Sequence, residues 1–351
     1  MKTLSVNDFR ESAEQGWLKQ TVSELFELFN YTQKCTTEQN WSEVTMEARG
    51  VVFQGEQVVC RPMRKFFNSH EPFGLKLLES ATPNIALVKL DGTLINVWFD
   101  LQGEMHVSTR GSLSNEYIDG AWELIRSRGL EAMLSLHKDV TWSFEYTYPQ
   151  ERFSMPSVIP HKDERLTLLN MRMRDGSELD AEIIPEFNQV MYGNKDYYYN
   201  LSVSSEDSNL IEQMEGLAKL LPWENEGWVL SEFDGNSNQR VKVKGSQYVT
   251  MHRVIHGMTP RSIADAWYGG MNNKLVAMLY EPHSSILQEK FDAYDSLMNK
   301  TVTEVTEWVA GYRIVNKEFS RKDFVIQAQR KFPKFGSLQL RRSLARTFRR
   351  V

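Results

Sequence analysis

Only two cysteines, Cys35 and Cys60, occur in 351 residues. They form no CxxC pair and lie beside no histidine cluster, so neither a disulfide framework nor a zinc site is expected. The seven histidines show no HxH or HExxH spacing, and each reads as structural. No apolar run approaches the roughly 18 residues of a membrane span, and the opening MKTLSVNDFRESAE turns polar before a leader's apolar stretch could form. A soluble, cytoplasmic protein is expected from these absences, with no membrane partner and a monomeric state. Repeats and low-complexity segments are also missing. With 11 prolines and 20 glycines, little of the chain is expected to be disordered.

The chain exceeds the roughly 250 to 300 residues at which one core stops growing, which predicts two domains. Its formal net charge of -5 argues against a polyanion partner. The distribution reverses that inference. Residues 324–351 hold eight basic and no acidic residues, leaving -13 over 1–323. A basic tail can meet a polyanion or simply be a solvated helix face.

From about Met46 to Met251, short runs rich in β-branched and aromatic residues alternate with turns: EARGVVF, NIALVKL, TLINVWF, MHVSTR, TWSFEYTY, LTLLNMRM, GWVLSEF and QRVKVKG. Asp91-Gly92 and Asp234-Gly235 are the strongest hairpin signals. Helical patterns are expected at about 6–30, 113–136 and 207–221. After His252 the strand signals stop. Thr259-Pro260 reads as a helix start, Ser284 to Gly311 as an amphipathic helix, and Ser320 with Asp323, then Ser337, as further starts. The expected fold class is α+β, with antiparallel sheets and flanking helices over 1–254 and a smaller all-helical domain over 255–351.

Polar groups recur at the ends of these strands. Lys89-Leu90-Asp91-Gly92 closes one run, Arg49-Gly50 opens another, and Arg110-Gly111 follows a third. Glu145 sits within TWSFEYTY, Glu226-Gly227 precedes WVLSEF, and Lys242 and Lys244 share one face of VKVKG. Arg61-Pro62-Met63-Arg64-Lys65-Phe66-Phe67-Asn68 sets three cations beside two aromatics. Singly, each has an ordinary reading. Lys89 fits a surface lysine beside a turn, Lys242 and Lys244 an outward strand face, Glu145 a cross-strand ion pair, and Arg61, Arg64 and Lys65 a solvated loop. Independent surface residues have no reason to share this order, on segments expected to pair in one sheet.

The set resembles the covalent nucleotidyltransferases, and within them the bacteriophage T4-type RNA ligase 1 family. KLDG resembles their lysine motif, Phe144-Glu145-Tyr146 the FEF-like element, Glu226-Gly227-Trp228-Val229 the EGxV element, and KVKGSQYVTMH the paired-lysine element. RPMRKFFN points to this subgroup. The likeness covers about 46–252. It implies an ATP-grasp-like nucleotidyltransferase domain and an ATP-dependent RNA ligase that joins RNA 5'-phosphate and 3'-hydroxyl ends, with tRNA repair as the expected setting. Mg²⁺ is the implied metal, with Mn²⁺ able to replace it.

Residue by residue, the resemblance implies that Lys89 becomes adenylylated, with Asp91 and Gly92 shaping its loop. Arg49 and Lys65 would meet the triphosphate, Glu145 the ribose, Glu226 the metal, and Lys242 and Lys244 the α-phosphate. Arg110 departs from the lysine of the best-known relative, keeping charge but changing geometry. Tyr248 is a candidate to pack near the nucleotide. A lysine nucleophile must be partly neutral, so the Lys89 pKa is expected to fall through burial and nearby cations. There is no P-loop, so ATP would be held by sheet-borne side chains. Arg341, Arg342 and Arg346 on the basic tail are expected to contact RNA. DNA ligases and capping enzymes share the lysine chemistry but usually follow it with a small β-barrel, where helices are expected here. A non-catalytic RNA- or nucleotide-binding protein of the same fold is the remaining alternative.

Overall fold

The computed structural model describes residues 5–79, 82–149, 152–153, 157–192, 198–199, 210–257, 263, 270, 272–277, 283–315, 326–328 and 330–331. The chain divides into two compact units, Met1–Thr250 and Met251–Val351.

The first unit opens with helix α1 (Val6–Glu14), where Ser5 and Asp8 form a reciprocal capping box. The expected helix over 6–30 stops there. Gly16 takes a φ of +78°, and strands β1 (Leu18–Val22) and β2 (Glu27–Tyr31) pair as an antiparallel hairpin. Short helices α2 (Gln33–Thr37) and α3 (Glu43–Glu47) lead to β3 (Arg49–Gln54) and β4 (Gln57–Cys60), completing a sheet ordered β1-β2-β3-β4. Val6, Phe9, Leu18, Phe29, Val51 and Phe53 form its core.

A second sheet, ordered β10-β9-β7-β8, contains β7 (Thr93–Phe99), β8 (Met105–Thr109), β9 (Val140–Thr147) and β10 (Arg165–Met173). Alternation divides its faces. Trp142, Phe144 and Tyr146 of β9 join Ile95, Val97, Leu166 and Leu168 in a core with α5 (Glu116–Ser127), α6 (Glu131–Leu134) and α7 (Ile184–Tyr192). Thr141, Ser143 and Glu145 take the opposite face. A register shift between Leu168 and Asn170 lets Thr167 pair with Glu145 and Asn170 with Ser143, so both lie on that polar side.

The third sheet runs β11-β6-β12-β13-β5, with β5 (Phe67–Asn68), β6 (Ile85–Val88), β11 (Tyr198–Tyr199), β12 (Gly227–Phe233) and β13 (Asn238–Lys244). Its pairings are antiparallel except β13 with β5. Val241, Val243, Trp228 and Leu230 pack with α8 (Leu210–Ala218), while Arg240, Lys242 and Lys244 take the other face. Helix α4 (Pro72–Leu78) follows β5. Asp234-Gly235 turns the β12–β13 hairpin as expected. Asp91-Gly92 does not turn a hairpin. It carries the chain from β6 in the third sheet to β7 in the second, so the functional strands do not share one sheet.

Residues after β13 are helical earlier than the strand signals implied, because α9 (Ser246–Gly257) already contains YVTMH. In the second unit, α10 (Asn272–Val276) precedes α11 (His283–Val315). Leu287, Phe291, Met298, Val305 and Val309 of α11 are buried at helical spacing. Thr259-Pro260, Ser320, Asp323, Ser337, Arg341, Arg342 and Arg346 lie outside the described residues.

Candidate active site

Lys89 follows β6, and its backbone N–H donates to Gly227 O at 2.9 Å. Gly227 pairs with Lys244 on the next strand. Lys89 and Lys244 therefore flank a residue without a side chain, and the Glu226 carboxylate bridges their ammonium groups. Its Oε2 is 2.9 Å from Lys89 Nζ and its Oε1 2.8 Å from Lys244 Nζ. Glu226 is only 3% exposed. Burial opposes its ionisation, but Lys89 and Lys244 outweigh burial and hold it below the usual carboxylate range.

The same pairing corrects the expectation for Lys89. Burial alone would lower its pKa, but Glu226, Glu145 and Asp91 together hold it above the ordinary lysine value. The strongly depressed amine is Lys242, two residues from Lys244. Burial, then repulsion from Arg49, Lys65, Lys89 and Lys244, drives it well down. Lys242 has no ion pair among the described residues, and its Nζ lies 4.4 Å from the centre of the Phe66 ring.

Glu145 approaches from the second sheet. Burial, with repulsion from Glu226 and Asp91, raises it to about 7 despite the attraction of Lys89 and Arg49. Asp91 anchors the sheet-crossing turn. Its carboxylate accepts from Tyr248 Oη at 2.9 Å and from the Ile159 N–H at 2.8 Å. Tyr248 is thus a buried support for the Lys89 loop. Gly92 is required by close packing, since a Cβ there would stand 2.3 Å from Tyr146 O.

Arg49, Lys65 and Arg110 complete a cationic group held by aromatic rings. Arg49 lies 5.1 Å from the Phe66 centroid, so this ring is shared with Lys242. Burial depresses Arg49, and its Nη1 has no hydrogen-bond partner. Lys65 lies 4.4 Å from the Phe67 centroid and 5.2 Å from that of Trp41. Burial, opposed by Glu71 but aided by Arg49 and Arg110, lowers Lys65 to about 8. Arg110 is exposed, and its Nη1 donates to Tyr31 Oη at 3.0 Å. Rings hold a cation in place without cancelling its charge, as a carboxylate would.

The structure thus brings Lys89, Glu226, Lys244, Lys242, Glu145, Arg49, Lys65 and Arg110 into one electrostatically connected group drawn from three sheets. Arg61 and Arg64 are not a solvated loop, because both pair with buried Glu47. Sequence reasoning missed Tyr31 and Trp41, which carry no charge pattern, while Phe66 and Phe67 were legible beside the cations of RPMRKFFN. It also missed Glu47, Arg172, Glu178 and Arg240, which only folding brings together. Among the described residues no group of three or more His, Cys, Asp or Glu could hold a metal ion. The oxygen donors of Glu226 and Glu145 still fit a hard cation bound mainly through substrate phosphates and water, as Mg²⁺ commonly is.

The sequence model of a family described as RNA ligase, of the T4 type 1 group, matches residues 47–248, more than half of the chain. Among solved structures, the chain is similar to a putative ATP-dependent DNA ligase from Aquifex aeolicus at 15% identity, covering 94% of this chain and 80% of that one, with a TM-score of 0.49. An archaeal ATP-dependent RNA ligase matches at 14% identity over 81% of this chain and 70% of its own, with a TM-score of 0.48. A Naegleria gruberi RNA ligase with pyrophosphate matches at 17% identity over 51% and 54%, with a TM-score of 0.37.

Proposed function

The chain belongs to the T4-type RNA ligase 1 family, and on that premise we propose that it is an ATP-dependent RNA ligase acting through a lysyl-AMP intermediate. One observation carries the assignment of the site. Lys89 and Lys244 share buried Glu226, while Lys242, Arg49, Lys65 and Arg110 have no ion pair among the described residues. Uncompensated cations beside a buried lysine suit a polyanion presenting its α-phosphate to an amine.

In the first step the Lys89 Nζ lone pair forms a P–N bond to the ATP α-phosphorus. The bond to the bridging oxygen breaks, and its electron pair leaves with pyrophosphate. Lys89 must first lose its proton to solvent. Once Glu226 no longer pairs with it, burial beside Lys242 and Lys244 favours the free amine. Lys242 and Lys244 would stabilise the α-phosphate, Arg49, Lys65 and Arg110 the β- and γ-phosphates, and Glu145 the ribose. Mg²⁺ or Mn²⁺ bound with Glu226 and the phosphates would supply further charge neutralisation of the leaving group.

An RNA 5'-phosphate oxygen then attacks the lysyl-bound phosphorus, and the P–N electron pair returns to Lys89. Finally an RNA 3'-hydroxyl gives its proton to solvent as its oxygen attacks the 5'-phosphorus, and the bond to the bridging oxygen breaks with its electron pair leaving on AMP, closing the phosphodiester. The helical second unit and the basic tail with Arg341, Arg342 and Arg346 would select RNA, with broken tRNA as the proposed physiological substrate and a cytoplasmic monomer as the working form. Incubation with α-labelled ATP and Mg²⁺ should label the wild type, and Lys89→Ala should lose the label. Persistent labelling of the variant would reject Lys89 as nucleophile, and an unlabelled wild type would reject the ligase reading.

A further inference from the structure

Behind the phosphate-directed cations lies a second set of charges to which the reaction assigns no role. The side chains of Glu47 and Arg172 are 2% and 1% exposed, and they pair through two parallel contacts, Nη1 to Oε2 and Nη2 to Oε1, each 2.8 Å. The same carboxylate takes Arg61 Nε at 3.2 Å and lies 3.3 Å from Arg64 Nε. Arg172 Nε stands 3.6 Å from Glu178 Oε1, and the other Glu178 oxygen is 2.8 Å from Arg240 Nη1. Arg240 Nη2 donates to Asn170 Oδ1 at 2.8 Å, joining the third sheet to the second.

Stability alone does not account for this arrangement. Removing two carboxylates and the three guanidiniums of Arg61, Arg172 and Arg240 from water costs several kcal/mol per ion, and apolar residues of similar volume often serve as well. The positions of the members are more informative. Glu47 lies two residues before Arg49, and Arg64 adjoins Lys65. Arg240 lies two residues before Lys242 on the same face of β13. Arg172 is the penultimate residue of β10, and Glu178 bridges back to it. Arg49 and Lys242 therefore each stand two residues from a member of one buried relay, and Lys65 adjoins Arg64, a half-buried side chain whose Nε reaches the relay's Glu47 at 3.3 Å.

We propose that the relay Glu47–Arg172–Glu178–Arg240 is a positioning device that holds Arg49, Lys65 and Lys242 at the spacing of a triphosphate. The proposal rests on the ligase reading for its ligand. Planar guanidinium forks fix direction as well as distance.

The test uses the full chain carrying Glu178→Gln, Arg240→Met or Arg240→Lys. Calorimetry would measure α,β-methylene-ATP and inorganic tripolyphosphate, and steady-state adenylylation would separate KM from kcat. Glu178→Gln and Arg240→Met should weaken both ligands about tenfold and raise KM more than they lower kcat, while Arg240→Lys restores part of the loss. If Arg240→Met fails to fold, the near-isosteric Glu178→Gln carries the test. Folded variants that melt earlier yet bind tripolyphosphate like the wild type would overturn the proposal, leaving the relay a purely structural element. Wild type that binds the analogue without becoming labelled would instead reject the ligase reading and leave the relay testable by binding. Wild type that binds neither ligand would reject both.

Discussion

Above pH 8, triphosphate binding should become coupled to the uptake of a proton by Lys65. Burial beside Arg49 and Arg110, against the pull of Glu71, lowers its ammonium to about 8. In the free protein it is then roughly nine-tenths charged at pH 7 and about one-tenth charged at pH 9. Binding a triphosphate without that charge forfeits about 4 kcal/mol of attraction at 4 Å in an effective dielectric of 20. Taking up the proton at pH 9 costs only about 1.4 kcal/mol. Proton uptake is therefore the favoured route, and α,β-methylene-ATP affinity should fall about tenfold per pH unit above 8. Calorimetry between pH 7.5 and 9.5, in buffers of different ionisation enthalpy, would read both the affinity and the proton. Lys65→Arg stays charged and should flatten the profile. A flat wild-type profile, or an equal decline in Lys65→Arg, would refute the reasoning. In the ligand-free protein the destabilisation from holding this charged lysine is fully present below about 8 and relieved as pH rises toward its ordinary 10.5.

Glu145 should act in the opposite window. Its carboxyl lies near 7 in the folded protein against an ordinary 4.5, so its contribution to stability is greatest below 4.5 and is lost as pH rises to 7. Glu145→Gln should therefore stabilise the ligand-free protein by about 1–3 kcal/mol at pH 8 and by almost nothing at pH 4; equal denaturation midpoints at pH 8 would contradict this. Reversing Arg341, Arg342 and Arg346 together should weaken RNA sealing and flatten its salt dependence while sparing Lys89 adenylylation. Unchanged sealing would remove the tail from RNA contact.

The strands carrying Lys89, Glu145, Glu226, Lys242 and Lys244 were legible because apolar alternation and turn residues act locally. The β1–β2 hairpin was hidden, because apolar positions between 6 and 30 also satisfy a helical period and the break at Gly16 is a single residue. Asp91-Gly92 was recognisable as a turn. Local chemistry carried no information on whether the following strand would pair back or cross to another sheet. Arg61 looked solvated because its partner Glu47 is remote in sequence.

By itself the sequence determined which residue types stand at strand ends, their order, and the family they resemble, since backbone pairing and motif spacing are short-range properties. Only the tertiary structure decided how charge is distributed among them. Glu226 lies between Lys89 and Lys244, so the expected nucleophile is held protonated in the ligand-free protein. Lys242 has no ion pair among the described residues and sits by the Phe66 ring with Arg49, Lys65, Lys89 and Lys244 repelling its charge, so the depressed amine is found there instead. Burial and Coulomb interactions act through space between segments far apart in the chain, and they exist only once three sheets meet.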